Sequence, residues 1–310
     1  MDQATELRKL VSLEGQQRRR RTRGPTGDLD SGCAPRVFAV TSGKGGVGKT
    51  NVVGNLAIAC QRMGKKVLVL DADLGLANLD IIFGINPRHN IGETIRGERD
   101  LSSVIAEGPE GVAVLPASSG VQELAHLTEG QKVNLLSEFD GLPMSFDLML
   151  IDTGAGISSN VIFFNLAAEE RIIVITPEPT SITDAYALMK VLFFNHGIKD
   201  FLLLSNMVRD ERQGKKVYEH LSRVAAKFMR GASVDYAGCI PWDALLQKGV
   251  SRREPVIRCY PESPSSRSFM ALAGVLMKNG GQKPQDGNIK FFLKRLMDAA
   301  KDETRDQQVP

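Results

Sequence analysis

From Arg36 onward, apolar positions fall into short β-branched runs that alternate with stretches of helical period. The runs predict strands at Val37–Thr41, Lys66–Asp71, Val112–Pro116, Leu148–Asp152, Ile172–Thr176, Phe201–Asn206 and Ala237–Pro241. The helical stretches between them include Lys49–Arg62, Gln131–Phe139, Ser158–Ala168, Ile182–Asn195, Gly214–Met229 and Ser265–Lys278. Gly64 stands where a left-handed residue would stop the first of these helices. Strands flanked by helices imply an α/β chain with a mostly parallel, doubly wound sheet covered on both faces. One domain, residues 36–279, accounts for this pattern better than two.

The two ends follow different patterns. Residues 1–14 have helical period, with Ala4, Leu7, Leu10 and Val11 on one face and Asp2 placed to cap the start. Residues 15–35 are basic and then rich in Gly, Pro and Asp, as expected of a flexible linker, so the first helix reads either as a frayed terminus or as a partner-recognition segment. Residues 280–287 form a second polar linker. Residues 288–301 then predict an amphipathic helix, with Ile289, Phe292, Leu293, Leu296, Met297 and Ala300 on one side. Lys290, Lys294, Arg295, Asp298 and Lys301 fall on the other side, and Phe291 breaks the pattern. Such a helix either packs on its parent domain or lies on an anionic membrane surface, where two copies brought together would bind far better than one. Residues 302–310 read as a disordered tail.

Composition narrows this only a little. The net charge of +3 argues neither for nor against nucleic acid. The basic residues Arg18, Arg19, Arg20, Arg21 and Arg23 cluster locally, as do those of the last helix. Cys33, Cys60, Cys239 and Cys259 include no C-x-x-C pair and there are only four His, so zinc is not expected. The cysteines read as reduced intracellular thiols, mostly buried. The first thirteen residues are charged throughout, unlike a secretory signal, and no apolar run is long enough to span a bilayer. The expectation is a cytoplasmic chain with, at most, peripheral membrane contact.

The strongest chemical signal is Gly43-Lys44-Gly45-Gly46-Val47-Gly48-Lys49-Thr50, which matches G-x-x-x-x-G-K-[ST] between a predicted strand and a predicted helix. Glycines let backbone N–H groups close around phosphate oxygens. Lys49 places a cation on the outer phosphates and Thr50 offers a hydroxyl to Mg²⁺. The helix that begins there, with Asn51 in its first turn, points its N-terminus at the anion. Lys44 is not needed for the cradle and could serve its own site or a neighbour's. Asp71 and Asp73 close one strand and Asp152 closes another. Each alone would more often be a turn or cap, but together with the loop they form a candidate Mg²⁺ site.

With Lys44 at its second position the loop is a deviant Walker A motif, and here the chain resembles the MinD/ParA family of dimerising ATPases. The resemblance covers Arg36 to about Lys301. It implies an ATP-bound homodimer in which Lys44 crosses to the partner's phosphates. It also implies that Asp73 positions the attacking water, that Asp71 supports the metal region and that Asp152 holds Mg²⁺ through water. Gly154 to Gly156 would sense the γ-phosphate. Asn206 at a strand end, with Pro241 and Asp243 in Pro241-Trp242-Asp243, resemble the family's adenine-binding segments, while Glu178, followed by Asp184, resembles the partner-facing region near the nucleotide. No N-K-x-D guanine motif is present, so ATP is favoured over GTP. Hydrolysis is expected to be slow unless a partner or dimer supplies missing groups.

The N-terminal Asp2-Gln3-Ala4-Thr5-Glu6-Leu7-Arg8 resembles the D-Q-A-x-x-L-R motif of the family's flagellar branch, the FlhG (YlxH/FleN) type of flagellum number and placement regulator. That resemblance implies contact through Asp2, Gln3, Ala4, Leu7 and Arg8 with FlhF, a GTPase of signal-recognition-particle type, and stimulation of it. Flagellar C-ring proteins are further partners of that branch, for which no feature of this sequence speaks. A division-site MinD protein or a ParA-type DNA-partition ATPase would share the core. The latter could use Arg18 to Arg23 on DNA, but the membrane reading of the last helix ranks nucleic acid below lipid. An iron–sulfur carrier of related fold would need paired bridging cysteines, which Cys239 and Cys259 do not provide.

Overall fold

A computed structural model describes residues 35–73, 78–116, 128–142 and 144–278. The predicted N-terminal helix with Asp2, Gln3, Ala4, Leu7 and Arg8 lies outside the described residues, as does the C-terminal helix with Ile289, Phe292, Leu293, Leu296 and Met297.

Among the described residues, eight strands form one sheet: β1 Arg36–Ser42, β2 Val67–Ala72, β3 Ala106–Glu107, β4 Ala113–Pro116, β5 Leu148–Ala155, β6 Glu170–Ile175, β7 Asp200–Val208 and β8 Ser233–Pro241. Their order is β3-β4-β2-β5-β1-β6-β7-β8. Every pairing is parallel except that of the two-residue edge strand β3 with β4. Alternation explains how both faces become buried. In β1, Val37 and Ala39 enter one core cluster while Phe38 and Val40 enter the cluster on the opposite face. A strand buried on both sides reads as a continuous apolar run, which is how these strands were legible.

The first face is covered by α1 Lys49–Arg62, together with a later helix, Pro264–Lys278. Between them in sequence come α2 Leu79–Phe83, α3 Ile91–Ile95, α4 Leu101–Val104, α5 Glu129–Asp140, α6 Ser159–Ala167, α7 Pro179–His196, α8 Glu211–Phe228, α9 Ala244–Arg252 and α10 Val256–Cys259, which makes Pro264–Lys278 α11. Helices α6, α7 and α8 cover the other face over β6 and β7. α1 ends as expected, with Gly64 in the left-handed region at φ 79°.

Some predicted bounds shift for local reasons. α7 starts at Pro179 rather than Ile182 because proline is pre-set for the first helical position. α8 starts at Glu211 rather than Gly214 because the Asp210 side chain accepts from the amide of Gln213 at 2.8 Å. β8 extends back to Ser233 as an alternately exposed edge strand, a weaker signal than a buried run. The cysteines are less hidden than expected: Cys60 is buried, whereas Cys239 and Cys259 are partly exposed.

From β1 the chain crosses over α1 to β2 on one side, and from β5 it crosses over α6 to β6 on the other. The carboxyl ends of β1 and β5 therefore open a crevice at a topological switch point, where ligands bind in sheets of this kind.

Candidate functional site

The loop between β1 and α1 occupies that crevice. Gly46 and Gly48 lie in the left-handed region, at φ 77° and 89°. Gly43 is required for a different reason. A Cβ there would stand 2.1 Å from the carbonyl carbon of Asp184, because the loop lies directly on α7. Ser42 Oγ donates to the Lys44 carbonyl at 2.7 Å and braces the turn. Among the described residues, the amide groups of Gly45 through Gly48 donate to no protein acceptor. A row of unused N–H groups converging at a helix N-terminus is an anion cradle.

Beneath the loop lies a buried polar cluster. Asp71 and Asp152 face each other across β2 and β5 as direct register partners. Asp152 is 1 % exposed, and both of its carboxylate oxygens are buried without a hydrogen-bond partner among the described residues. Burial pushes Asp152 up to about 7 and the nearby Asp71 charge adds to this, while the Thr50 hydroxyl and Lys49 pull the other way. Burial likewise pushes Asp71 up to about 7, against the Asp73 amide that favours its ionised form. Lys49 is 8 % exposed. Burial lowers its pKa, while the charges of Asp152 and Asp73 raise it. A Cβ on Gly154 would lie 3.7 Å from Asp73 Oδ1, which places Asp73 beside the loop that follows β5.

Buried carboxylates in excess over cations are costly unless a cation joins them. The orphaned oxygens of Asp152 beside the Thr50 hydroxyl therefore fit a hard divalent ion such as Mg²⁺, and the glycine cradle fits a polyphosphate. Among the described residues no group of three or more His, Cys, Asp and Glu side chains is arranged to hold a metal ion by itself, so an ion here would rest on Asp152 and the Thr50 hydroxyl together with phosphate and water.

Lys44 points away from this cluster. Its ammonium pairs with Glu178, and it donates to Thr180 Oγ1 at 2.9 Å at the start of α7. Thr180 was invisible to sequence reasoning, since only the tertiary approach of loop and helix brings it to Lys44. Asn206 donates through Nδ2 to the Val47 carbonyl at 2.8 Å, and its Oδ1 accepts from the Met207 amide at 2.9 Å. It thereby ties the end of β7 to the phosphate loop. Asp243 caps α9 by accepting from the Leu245 amide at 2.9 Å, and its second oxygen takes the Ser265 hydroxyl at 2.7 Å. Asn206 and Pro241 line a small recess of about 50 Å³ beside Gly48 and Asn51, together with Met207, Trp242 and Asp243. Met207 and Trp242 were not singled out from sequence. The available signal was a large aromatic at a strand end, next to a helix-capping aspartate.

A sequence model of the ParA family, described as an NUBPL iron-transfer P-loop NTPase, matches residues 34–277. The antiactivator FleN of Pseudomonas aeruginosa is 40 % identical over 262 residues, covering 84 % of this chain and 93 % of FleN. The flagellum site-determining protein YlxH of Helicobacter pylori is 35 % identical over 300 residues, covering 96 % of this chain and 98 % of YlxH. Among solved structures, the septum site-determining protein MinD of Pyrococcus horikoshii, complexed with Mg-ADP, superposes with a TM-score of 0.62. It is 28 % identical and covers 80 % of this chain and 98 % of its own. The glycine cradle, the cationic loop with its second lysine, the eight-stranded sheet and these likenesses agree: the chain belongs to the MinD/ParA family of P-loop NTPases.

Proposed function

We propose that this chain is a MinD-like ATPase that dimerises with ATP, attaches peripherally to the inner face of the cell membrane and regulates flagellar number and placement. The observation that carries the enzymatic part is Asp152, a buried carboxylate beside Lys49, Asp71 and the Thr50 hydroxyl, with more acceptor capacity than the described residues satisfy. Thr50 and Asp152 would hold Mg²⁺, with Asp71 supporting them. The ion would neutralise charge on phosphate oxygens when bound. Lys49 offsets the outer phosphates, and the amides of Gly45 through Gly48 orient them. Asp73, beside Gly154, would position a water. Phosphoryl transfer needs mainly such positioning and charge neutralisation, so no covalent nucleophile is required.

Lys44 in this single chain is held by Glu178 and Thr180 rather than aimed at its own Asp152 cluster. That arrangement suits a lysine used by a second copy, and it supports the dimer reading. The flagellar part rests on the likeness to FleN and YlxH, the second of which aligns over almost the whole chain, and on the Asp2–Arg8 motif. That motif is the proposed contact for an FlhF-type GTPase.

Light scattering after size exclusion tests the switch. With Mg-ATP the protein should move from monomer to dimer, and Lys44→Ala should remain monomeric. A fully monomeric wild type, or an unaffected variant, would defeat the dimer reading.

A further inference from the structure

Away from the phosphate loop, a cleft of about 390 Å³ opens where α7 begins beside the first half of α8. Arg209, Arg212, Lys216 and His220 line it. None of these four basic side chains forms an ion pair among the described residues. The acids nearby in sequence are engaged elsewhere. Asp210, the one acid in the lining, accepts from the Gln213 amide at 2.8 Å, and Gln213 Oε1 accepts from the Arg209 amide at 2.8 Å. Glu211 takes the Cys239 thiol at 2.9 Å and the Lys215 ammonium at 3.6 Å, while Glu178 pairs with Lys44.

This arrangement is held in place by local structure. The reciprocal bonds of Asp210 and Gln213 fix the backbone from Arg209 to the first turn of α8. Arg212, Lys216 and His220 then recur at four-residue spacing, which puts them on one face of the helix. Like charges gathered at one opening repel one another, and an anion between them would remove that cost. The cleft also begins at the amino ends of two long helices, whose dipoles favour negative charge there. Two arginines within four residues offer forked donors suited to phosphate or carboxylate. The volume is that of a small-molecule site. The apolar lining, Pro177, Ile182 and Val217, is too sparse to seat the row of anchors that a docked helix would bring.

We propose that this cleft binds a small polyanion, a molecule of metabolite size that carries two or more phosphate or carboxylate groups, at a site separate from the phosphate loop.

The test is calorimetric titration of the full chain, saturated with Mg-ADP, using pyrophosphate in one arm and citrate in the other to separate the two sources of oxyanion. At least one of them should bind once per chain, and more weakly as salt is added. Arg212→Glu combined with Lys216→Glu, both at exposed positions, should weaken that binding by at least about 10-fold. The double variant should keep the wild-type circular dichroism spectrum and Mg-ADP affinity. Lys49→Ala, titrated without nucleotide, should bind the same anion as tightly as wild type does. Failure of both anions to bind, or equal binding by the folded double variant, would overturn the proposal. So would displacement of the bound anion by hexaglutamate at lower concentration than by the anion itself, because the cleft would then be a docking surface for acidic protein segments.

Discussion

At the residue scale, the site carries more buried carboxylate than cation, and that excess costs stability once the carboxyls ionise. Asp71 and Asp152 both lie well above the ordinary carboxylate range, at about 7. The folded chain therefore binds these protons more tightly than the unfolded chain does. The sign follows: stability is fully present at about pH 4 and is lost as pH rises through about 7. One such shift acting alone corresponds to on the order of 4 kcal/mol, and mutual repulsion makes the pair worth less than twice that. Asp152→Asn should flatten this dependence, and without metal it should melt above wild type at about pH 8. Thermal unfolding in a chelator across that range measures it, and a variant that melts lower at about pH 8 would refute the imbalance. Lys44 behaves differently. Its pair with Glu178 is exposed, so its loss should scarcely affect melting, and any loss of dimer traces to the dimer itself.

At the scale of elements, the same buried side chains that hold the core also hold the loop. Asn55 in the middle of α1 is fully buried. Its Nδ2 donates to the Asn51 carbonyl at 2.8 Å, and its Oδ1 accepts from the Ile257 amide at 3.1 Å, which ties α10 to the helix that carries Lys49 and Thr50. Asn55→Ala leaves a buried amide unpaired and opens space, so denaturant unfolding should show a loss of about 1–3 kcal/mol. A neutral result would mean that α10 is not held by this bond. Here too the limits of sequence reading become physical. α1 was legible to the residue at both ends because Gly48, the apolar period and Gly64 agree. The central strands were legible because burial on both faces makes them continuously apolar. The short helices α2, α3, α4, α9 and α10 and the edge strand β3 went unassigned. With two to nine residues each, they carry too little periodicity. The loop and the three aspartates could be read because their chemistry depends on residue type at fixed spacing. Thr180 and Asn55 could not, because their partners lie far off in sequence.

At the scale of the molecule, one buried charge cluster lies at the switch point of a sheet, between a loop that would bind nucleotide and an α7 terminus that holds Lys44. Nucleotide state and self-association can then be coupled through the few residues from Gly43 to Asp184. Among the described residues no helix is long and apolar enough to cross a membrane. The proposed membrane attachment rests on the sequence of residues 288–301, and the proposed partner contact on that of residues 1–14. Removing residues 288–310 should abolish ATP-dependent sedimentation with anionic vesicles while leaving dimerisation intact. Removing the first twelve residues should abolish capture of an FlhF-type GTPase and leave vesicle binding unchanged. Unaltered sedimentation or capture after the respective deletion would detach that end of the chain from its assigned role.

The most direct test of the phosphate cradle is calorimetric titration of Mg-ATP into the wild-type chain and into Lys49→Ala, with folding of both checked by circular dichroism. The wild type should bind one nucleotide per chain, and the variant should lose binding by at least about 100-fold, as expected when a desolvated charge contact to phosphate is removed. A wild type that takes up no nucleotide, or a folded variant that binds as tightly, would contradict it.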